Sequence, residues 1–353
     1  MKSIKIRTPS EQVADHLRDE ILARTWIDTL PGEGWLAREL AVGRDTVKAA
    51  VQHLELQGLL ESQGIGRSRR IVLPKNARSQ SLHVKILLYE MDDAGADYIV
   101  QLRHQLELAE HSVSYASKTL FDLRHSAAQV EKFVRENPAD AWIVLAGGRS
   151  VLEWFSQSGI PAFALFGRMQ SFRIAGAGPD KAPAFRELAN RLVDLGHRKI
   201  VMMVREERRK PNVGRLEQLF LDELKARGIS VGAYNLPDWD DTPQGFQKRL
   251  DSLFRVTPPT ALFLDTSTLF YAAQHYLAHH PNQELRKVSL FCSDYHPAFE
   301  WCKPSVACFN YDIKPVIRHA VLWVNKLSLG QNHHRQLSVK VTFVDGQTIS
   351  EVQ

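Results

Sequence analysis

The chain has 353 residues, of which 44% are hydrophobic and 24% are charged, and a formal net charge of +5. This composition is that of a globular protein and excludes a fibrous or wholly disordered chain, while the length predicts more than one domain. The 3 cysteines show no Cys-x-x-Cys spacing, so we expect neither a disulfide framework nor a cysteine zinc site. We find no apolar run long enough to span a membrane and no signal-peptide core, which predicts a cytoplasmic protein.

Residues 1–73 are predicted to form a small helical domain. A first helix is expected from Ser10, the candidate N-cap, and a second after Pro31 and Gly32. A third should begin near Arg44 and end before Gly58. Its apolar residues recur with the i, i+3, i+4, i+7 spacing of one buried face, and they are Val47, Ala50, Val51 and Leu54.

A β-hairpin should follow, because two short apolar runs flank a glycine-rich tip within residues 59–73. Three helices followed by a hairpin are typical of a winged helix-turn-helix. Five basic residues and no acidic one lie between Gly64 and Arg78, namely Arg67, Arg69, Arg70, Lys75 and Arg78. Such a basic hairpin suits phosphate binding, although a basic linker would explain the same charges.

Residues 74–83 are predicted to be a linker, and residues 84–353 to form two α/β lobes. Apolar runs alternate with amphipathic segments, a pattern that predicts parallel sheets covered on both faces by helices. The clearest helix spans 313–328. The expected strands lie within 83–90, 112–117, 141–148, 161–167, 199–204, 230–236, 260–265 and 288–294.

The stretch LPGEGWLARELAVGRDTVKAAVQHLELQGLLESQG, at 30–64, resembles the GntR family of winged-helix repressors. Gly32 and Gly43 depart from that family's usual serines, and Gly34 stands where many members carry an arginine that contacts DNA. The residues in register are Pro31, Glu33, Leu36, Val42, Arg44, Thr46, Val47, Ala50, Leu54, Gly58, Leu59 and Leu60.

This resemblance implies that the third helix enters the major groove of DNA by its N-terminal end. It gives Arg44 and Lys48 contacts to base edges or phosphates, and Thr46 a contact to phosphate. The alternative for Arg44 is a local ion pair with Asp45. The remaining candidates for contact with DNA are Asp45, Gln52, Gln63, Arg67 and Arg69.

Residues 84–353 resemble the effector domain of the LacI/GalR family, which is related to periplasmic sugar-binding proteins. FRELANRLVDLGHRKIVMMV, at 185–204, is similar to that family's helix, Leu-Gly-His and strand passage, and VDGQTI, at 344–349, to its closing strand. The combination is similar to arabinose-repressor-type regulators. The linker lacks the helix that LacI proteins insert into the minor groove.

The second resemblance implies that a sugar-like effector binds between the lobes, at the carboxyl ends of the strands. It places Arg215 and Asp294 at ligand-binding positions and Trp239 at a position that stacks on the sugar. Here Thr266 and Ser267 replace the family's usual Asn-Asp, with Asp265 one place early. The other candidates are Tyr89, Asp92, Phe166, Arg168 and Asp265.

Structural roles that need no ligand would also explain these residues. Lobe packing would explain Trp239, and an interlobe ion pair would explain Arg215 and Asp294. The one-turn spacing of His275 and His279 suits a metal, but a solvated helix end explains it as well. We expect no metal, no cofactor and no catalytic residues.

We therefore expect a cytoplasmic, homodimeric, ligand-responsive DNA-binding regulator, a repressor of a carbohydrate-utilisation operon. One alternative is a constitutive DNA-binding regulator whose large domain serves only dimerisation. The other is a sugar-processing α/β enzyme.

Overall fold

A computed structural model describes residues 8–22, 25–26, 28–64, 67–72, 80–210 and 212–352. The chain divides into two compact units. The first comprises Met1–Gly178 and Ile313–Leu337, and the second comprises Pro179–Asp312 and Ser338–Gln353. The chain thus passes between the units three times, after Gly178, Asp312 and Leu337.

The N-terminal domain, which lies in the first unit, has the predicted helices and hairpin. The helices are α1 (Pro9–Leu22), α2 (Glu33–Glu39) and α3 (Arg44–Leu56). Strand β1 (Leu60–Glu61) pairs antiparallel with β2 (Arg70–Ile71). The buried face of α3 is the predicted one, and it shares a single apolar core with Leu17 and Ile21 of α1. This arrangement confirms the winged helix-turn-helix.

The cap of α1 differs from the prediction. Thr8 Oγ1 accepts a hydrogen bond from the Glu11 backbone N–H at 3.3 Å, and Glu11 Oε2 accepts one from the Thr8 N–H at 2.7 Å. This reciprocal pair is a capping box, so Thr8 caps the helix and Ser10 lies in its first turn. At the end of α3, Gly58 has a φ of +72°, a left-handed conformation that glycine adopts without strain.

The first α/β lobe begins after the predicted linker, of which residues 74–79 lie outside the described residues. The boundaries predicted for the linker stay a prediction. In chain order, the elements up to the first passage between the units are β3 (His83–Leu87), α4 (Asp97–Leu108), β4 (Ser112–Tyr115), α5 (Ala127–Glu136), β5 (Ala141–Leu145), α6 (Arg149–Ser158), β6 (Ala162–Leu165) and β7 (Ala175–Asp180).

The remaining elements build the second lobe and complete the first. They are α7 (Ala182–Asp194), β8 (Ile200–Met203), α8 (Glu206–Arg209), α9 (Arg215–Ala226), α10 (Pro243–Val256), β9 (Ala261–Leu264), α11 (Ser267–His279), β10 (Ser289–Cys292), β11 (Ala307–Asn310), α12 (Lys314–Ser328), β12 (Gln336–Lys340) and β13 (Thr342–Val344). Short 3₁₀ turns occupy Met91–Gly95, Gln283–Lys287 and Pro297–Trp301.

The two larger sheets confirm the α/β class and its parallel strands. The first sheet has the order β12-β7-β6-β5-β3-β4, and β3 to β7 run parallel within it. The second has the order β13-β11-β10-β9-β8, in which β8 to β11 are parallel and β13 is antiparallel. Because neighbouring strands run parallel, their carboxyl ends meet at one edge of each sheet.

Two predicted strands are wrong. Residues 230–236 form a turn, in which the Gly232 N–H donates to Asn235 Oδ1 at 2.9 Å and Asn235 Nδ2 donates to the Ile200 carbonyl at 2.9 Å. The side chain of Asn235 thus satisfies backbone groups that a strand would pair. The closing strand ends at Val344, so most of the 344–349 segment follows it instead of forming it.

Candidate functional site

The outer face of α3 carries polar side chains that the domain core does not use. Arg44, Lys48 and Gln52 are exposed and recur every four residues, so they line one face of the helix. Asp45 is also exposed and Thr46 is half-buried. Among the described residues no ion pair joins Arg44 to Asp45, so the local-pairing alternative is not realised.

The hairpin that follows α3 carries further exposed polar residues, one of them basic. Gln63 and Arg67 are exposed on either side of its tip. Residues 65–66 at the tip, together with Lys75 and Arg78, lie outside the described residues.

Arg69 has a different environment from the other predicted DNA contacts. Its Nη1 lies 2.9 Å from Glu33 Oε1, and its Nε donates to Glu55 Oε1 at 3.0 Å. Because two carboxylates already neutralise this half-buried guanidinium, Arg69 joins the hairpin to α2 and α3. The predicted contact of Arg69 with DNA stays a prediction.

The four candidate residues of the first lobe share one edge of its sheet. Tyr89 and Asp92 follow β3, and Phe166 and Arg168 follow β6, with β5 between these strands. The Tyr98 ring packs edge-on against Phe166, with 5.5 Å between the ring centroids. Asp92 and Arg168 are exposed.

The turn after β6 is held tightly at this edge. Gly167 has a φ of +83°, and a Cβ atom there would lie 2.5 Å from the Gly147 carbonyl oxygen. Only glycine fits such an approach of two backbones. The turns after β5 and β6 therefore pack directly against each other beside Phe166 and Arg168.

In the second lobe, Asp265 and Asp294 follow neighbouring strands, β9 and β10. Arg208 Nη1 donates to Asp265 Oδ1, and Arg208 Nη2 lies 2.5 Å from Glu217 Oε1. Lys181 Nζ donates to Asp294 Oδ1 at 2.5 Å and to the Ser293 carbonyl oxygen at 3.2 Å. We call Lys181, Arg208, Glu217, Asp265 and Asp294 the charge cluster.

Burial and neighbouring charges shift the pKa values of Asp265 and Arg208 in the charge cluster. Burial is the largest effect on Asp265, whose pKa it raises although the Arg208 charge opposes the change. Burial lowers the pKa of Arg208, but Asp265 and Glu217 outweigh it, so the net shift is upward and the guanidinium stays charged. Within the cluster, Asp294 has the more exposed carboxylate of the two predicted aspartates, at 45% against 4% for Asp265.

Lys181, Arg208 and Glu217 were not among the residues predicted from the sequence. Arg208 lies on α8, directly after the carboxyl end of β8, and Lys181 directly follows β7. Arg208 thus follows a predicted strand of the same sheet as β9 and β10, and that position was a signal that could have identified it. Lys181 had no such signal, because β7 was not among the predicted strands. The burial of Glu217 in the first turn of α9 had no such signal.

Arg215 and Trp239 lie outside the charge cluster. Arg215 is the exposed first residue of α9, and Asp294 pairs with Lys181 rather than with it. Trp239 is 7% exposed, its Nε1 donates to the Val204 carbonyl oxygen at 3.1 Å, and its ring packs on Phe246. This environment is that of lobe packing, the alternative interpretation, and stacking on a sugar stays a prediction. The predicted cleft between the lobes stays a prediction.

The two histidines of α11 that are spaced one turn apart contact each other. The His275 and His279 rings lie 4.2 Å apart, and His279 Nδ1 contacts the His275 carbonyl oxygen at 2.9 Å. Across the described ranges, no group of three or more His, Cys, Asp or Glu side chains is arranged to hold a metal. Within the same ranges, no helix has the length and apolar character needed to cross a membrane.

Comparison with known families matches two stretches of the chain. Residues 9–68 match the model of the bacterial regulatory proteins of the gntR family. Residues 189–349 match the model of the periplasmic binding protein-like domain. The chain joins a GntR-type helix-turn-helix domain to a periplasmic-binding-protein-like domain. No curated protein matches it in sequence.

Three solved structures that are similar in fold to much of this GntR–periplasmic-binding-protein-like chain are described as transcription regulators or repressors. A CelR–cellobiose complex covers 91% of the chain and is itself covered completely (100%), with a TM-score of 0.60 at 15% identity. The Lac repressor dimer bound to operator and the anti-inducer ONPF covers 79% of this chain, and 99% of its own length is covered. Its TM-score is 0.60 at 17% sequence identity. A LacI family regulator from Enterococcus faecium with bound ribose covers 77% of this chain, and 100% of its own length is covered. Its TM-score is 0.59 at 14% sequence identity.

Proposed function

We propose that the chain is a ligand-responsive, sequence-specific DNA-binding transcription regulator that represses a carbohydrate-utilisation operon in the cytoplasm. The observation that carries this proposal is the exposed row Arg44, Lys48 and Gln52 on α3 of a GntR-type domain. Its fusion to the fold of LacI-type regulators supports control by a small molecule.

The chemistry of the α3 row suits an operator. Arginine pairs bidentately with the O6 and N7 atoms of guanine, and glutamine pairs in the same way with adenine. Lys48 supplies a point charge for phosphate, and Arg67 on the hairpin reaches the backbone beside the groove. Asp45 and Gln63 complete the contact surface, with Thr46 at phosphate.

The effector is proposed to be a sugar or a sugar derivative that binds at the carboxyl ends of the strands. The exposed carboxylate of Asp294 offers charge-assisted hydrogen bonds to hydroxyl groups, and Lys181 holds it in place. Asp92, Arg168 and the ring of Tyr89 provide matching chemistry in the first lobe. The cellobiose and ribose in the structures with the same fold support this ligand class.

The regulator is proposed to act as a homodimer on a two-fold symmetric operator. We assign the contact between the two copies to α4, where two apolar side chains are exposed, Val100 at 49% and Leu108 at 54%. We call these two residues the exposed apolar row of α4. The dimeric Lac repressor structures share the fold.

DNA binding is tested first by selecting duplexes from a random-sequence library and measuring their affinity by fluorescence anisotropy. We expect Arg44→Ala to weaken the binding of a selected duplex by about tenfold or more, because a bidentate contact contributes roughly 1–3 kcal/mol. Arg135→Ala on α5 removes an equally charged, exposed side chain and serves as the control. Equal affinity of the Arg44 variant and the unmodified protein would remove α3 from the interface.

Effector binding is tested by thermal shift with millimolar ribose, arabinose, glucose, cellobiose and gluconate. We expect at least one of them to raise the melting midpoint, and Asp294→Asn to abolish the rise. Asp241→Asn, a carboxylate outside the charge cluster, is the control. If the panel gives no shift although a duplex is selected, the constitutive, dimerisation-only regulator becomes the better interpretation.

A further inference from the structure

The N-terminal domain is bound to the first lobe by a buried ion pair. Lys326 Nζ of α12 donates to Glu20 Oε1 of α1 at 2.9 Å, across 306 positions of sequence. The two side chains are only 16% and 13% exposed. A pair this buried is little screened by salt, unlike a surface ion pair.

The turn after α1 strengthens the same contact. Thr25 Oγ1 donates to Glu20 Oε2 at 2.7 Å, so both carboxylate oxygens of Glu20 are engaged. Beside it, the Arg318 guanidinium of α12 lies 5.8 Å from the centre of the Trp26 ring. Burial would raise the pKa of Glu20, but the bonds from Thr25 and Lys326 outweigh it, so the carboxylate stays ionised. We call Glu20, Trp26, Arg318 and Lys326 the α1–α12 latch.

Neighbouring residues of α12 fix the helix within the first lobe. Its buried Trp323 packs on Phe163 of β6, with 5.6 Å between the ring centroids. Asn325 Oδ1 lies 2.8 Å from His111 Nε2. A displacement of α12 therefore requires the lobe core to move with it.

The position of α12 in the chain connects it to the second unit at both ends. The chain enters the first unit at Ile313, immediately before α12, and leaves it after Leu337. Each passage between units is a covalent path by which a rearrangement of the second lobe pulls on α12. At the opposite end of the path, α1 packs against α3 in one core, so α1 and the DNA-contacting helix move together.

We propose that the α1–α12 latch transmits the effector state of the lobes to the orientation of α3. This inference rests on the proposed function. The alternative is that the latch only stabilises the fold. The two interpretations predict different effects when the latch is removed. A transmitting contact sets the response of operator affinity to effector, whereas a merely stabilising one sets the melting point alone.

The latch itself is tested without DNA or sugar, by hydrogen exchange with mass spectrometry on the full chain. Glu20→Gln and Lys326→Gln should each lower the protection of residues 9–22 and leave the β5 strand unchanged. The charge-swapped double variant, Glu20→Lys with Lys326→Glu, should restore protection. Glu131→Gln, which breaks an exposed ion pair on α5, is the control. Unchanged protection of α1 in the single variants would overturn the contact.

Because removing one partner of a buried pair is costly, a milder variant accompanies these. Arg318→Ala deletes an exposed side chain over Trp26, and we expect it to lower α1 protection in the same direction by a smaller amount. Loss of protection across β5 as well as α1 would show general destabilisation and overturn the proposal.

Transmission is tested with the selected duplex and the sugars of the panel. In the unmodified protein the ratio of duplex affinities without and with the sugar should be roughly 5- to 150-fold. In Lys326→Gln this ratio should fall to within about twofold of one, while the thermal shift given by the sugar persists. If the ratio is unchanged although α1 has lost protection, the latch is structural only. If no duplex is selected, the proposed function fails and the exchange experiment still decides the contact.

Discussion

At the scale of single residues, the charge cluster shows how the second lobe holds carboxylates at the edge of its sheet. Glu217 and Asp265 are 2% and 4% exposed, and both face one guanidinium, that of Arg208. A buried carboxylate loses its hydration, so it depends on such a partner to remain charged. Arg208 therefore maintains the local structure at the strand ends and also fixes the field around Asp294.

We predict that Arg208→Met lowers the free energy of unfolding by about 3–5 kcal/mol, because it leaves two buried carboxylates without a counter-charge. Urea denaturation followed by circular dichroism measures the change. Arg215→Met, at an exposed position on the neighbouring helix, should stay within about 0.5 kcal/mol of the unmodified protein. A loss below about 1 kcal/mol for the Arg208 variant would contradict the assignment.

The residues of this site were only partly predictable from sequence. Asp265 and Asp294 follow apolar strand runs, and the positions of such runs show where the edge of a parallel sheet lies. Trp239 also matched by register, but register does not separate a ring that stacks on a ligand from one that fills a core. The recruitment of Lys181 and Glu217 depends on tertiary approach, which no local pattern encodes.

At the scale of elements, continuous apolar runs predicted strands well and turns poorly. The run at 141–145 is buried throughout and forms β5 as expected. The run at 230–236 is interrupted by Gly232, and Asn235 folds it into a turn. Strand β7, with two glycines and a proline in six residues, was missed because it lacks strand-forming side chains.

The segment after α12 supplies a pH dependence. Burial, assisted by electrostatic interactions with His319, Lys326, Arg335 and His334, lowers the pKa of His333 to about 4 from its ordinary 6.5. Between these values the unfolded chain binds a proton that the folded chain does not. Stability is therefore lost as the pH falls from 6.5 towards 4.

We expect His333→Gln to remove this loss, so the variant should gain stability relative to the unmodified protein as the pH falls, with no difference above pH 7. Urea midpoints measured at half-unit pH steps would show the gain. His104→Gln, which removes an exposed histidine of α4, is the control. An equal pH profile for the His333 variant and the unmodified protein would refute this origin of the acid sensitivity.

At the scale of the whole molecule, the proposed function requires two DNA-binding domains in one particle. The exposed apolar row on α4 is the surface that we assign to dimerisation. Burying Val100 and Leu108 against a second copy would remove apolar area from water, which favours association by about 25 cal/mol for each Å². In the isolated chain both side chains are about half exposed, so this apolar area is still available to be buried in a dimer.

We predict that Leu108→Lys weakens the dimer at least tenfold, about 1.4 kcal/mol, while the fold is kept. Analytical ultracentrifugation over a range of concentrations measures the dissociation constant. Val256→Lys, which charges an equally apolar position that is 73% exposed on α10, should leave the dimer intact. The reverse pattern, with dissociation in the α10 variant, would move the interface to the second lobe.

The three passages of the chain between its units have a consequence for how such a protein is assembled from parts. Each α/β lobe is built from two separate stretches of sequence, so one recombination event cannot exchange a lobe. The helix-turn-helix domain ends before β3 begins and is attached once, so it can be exchanged as a single block. A replacement domain would need a carboxylate at the position of Glu20, near the end of its first helix, to pair with Lys326. The joining of one family's DNA-binding domain to another family's lobes is therefore the exchange that this connectivity permits.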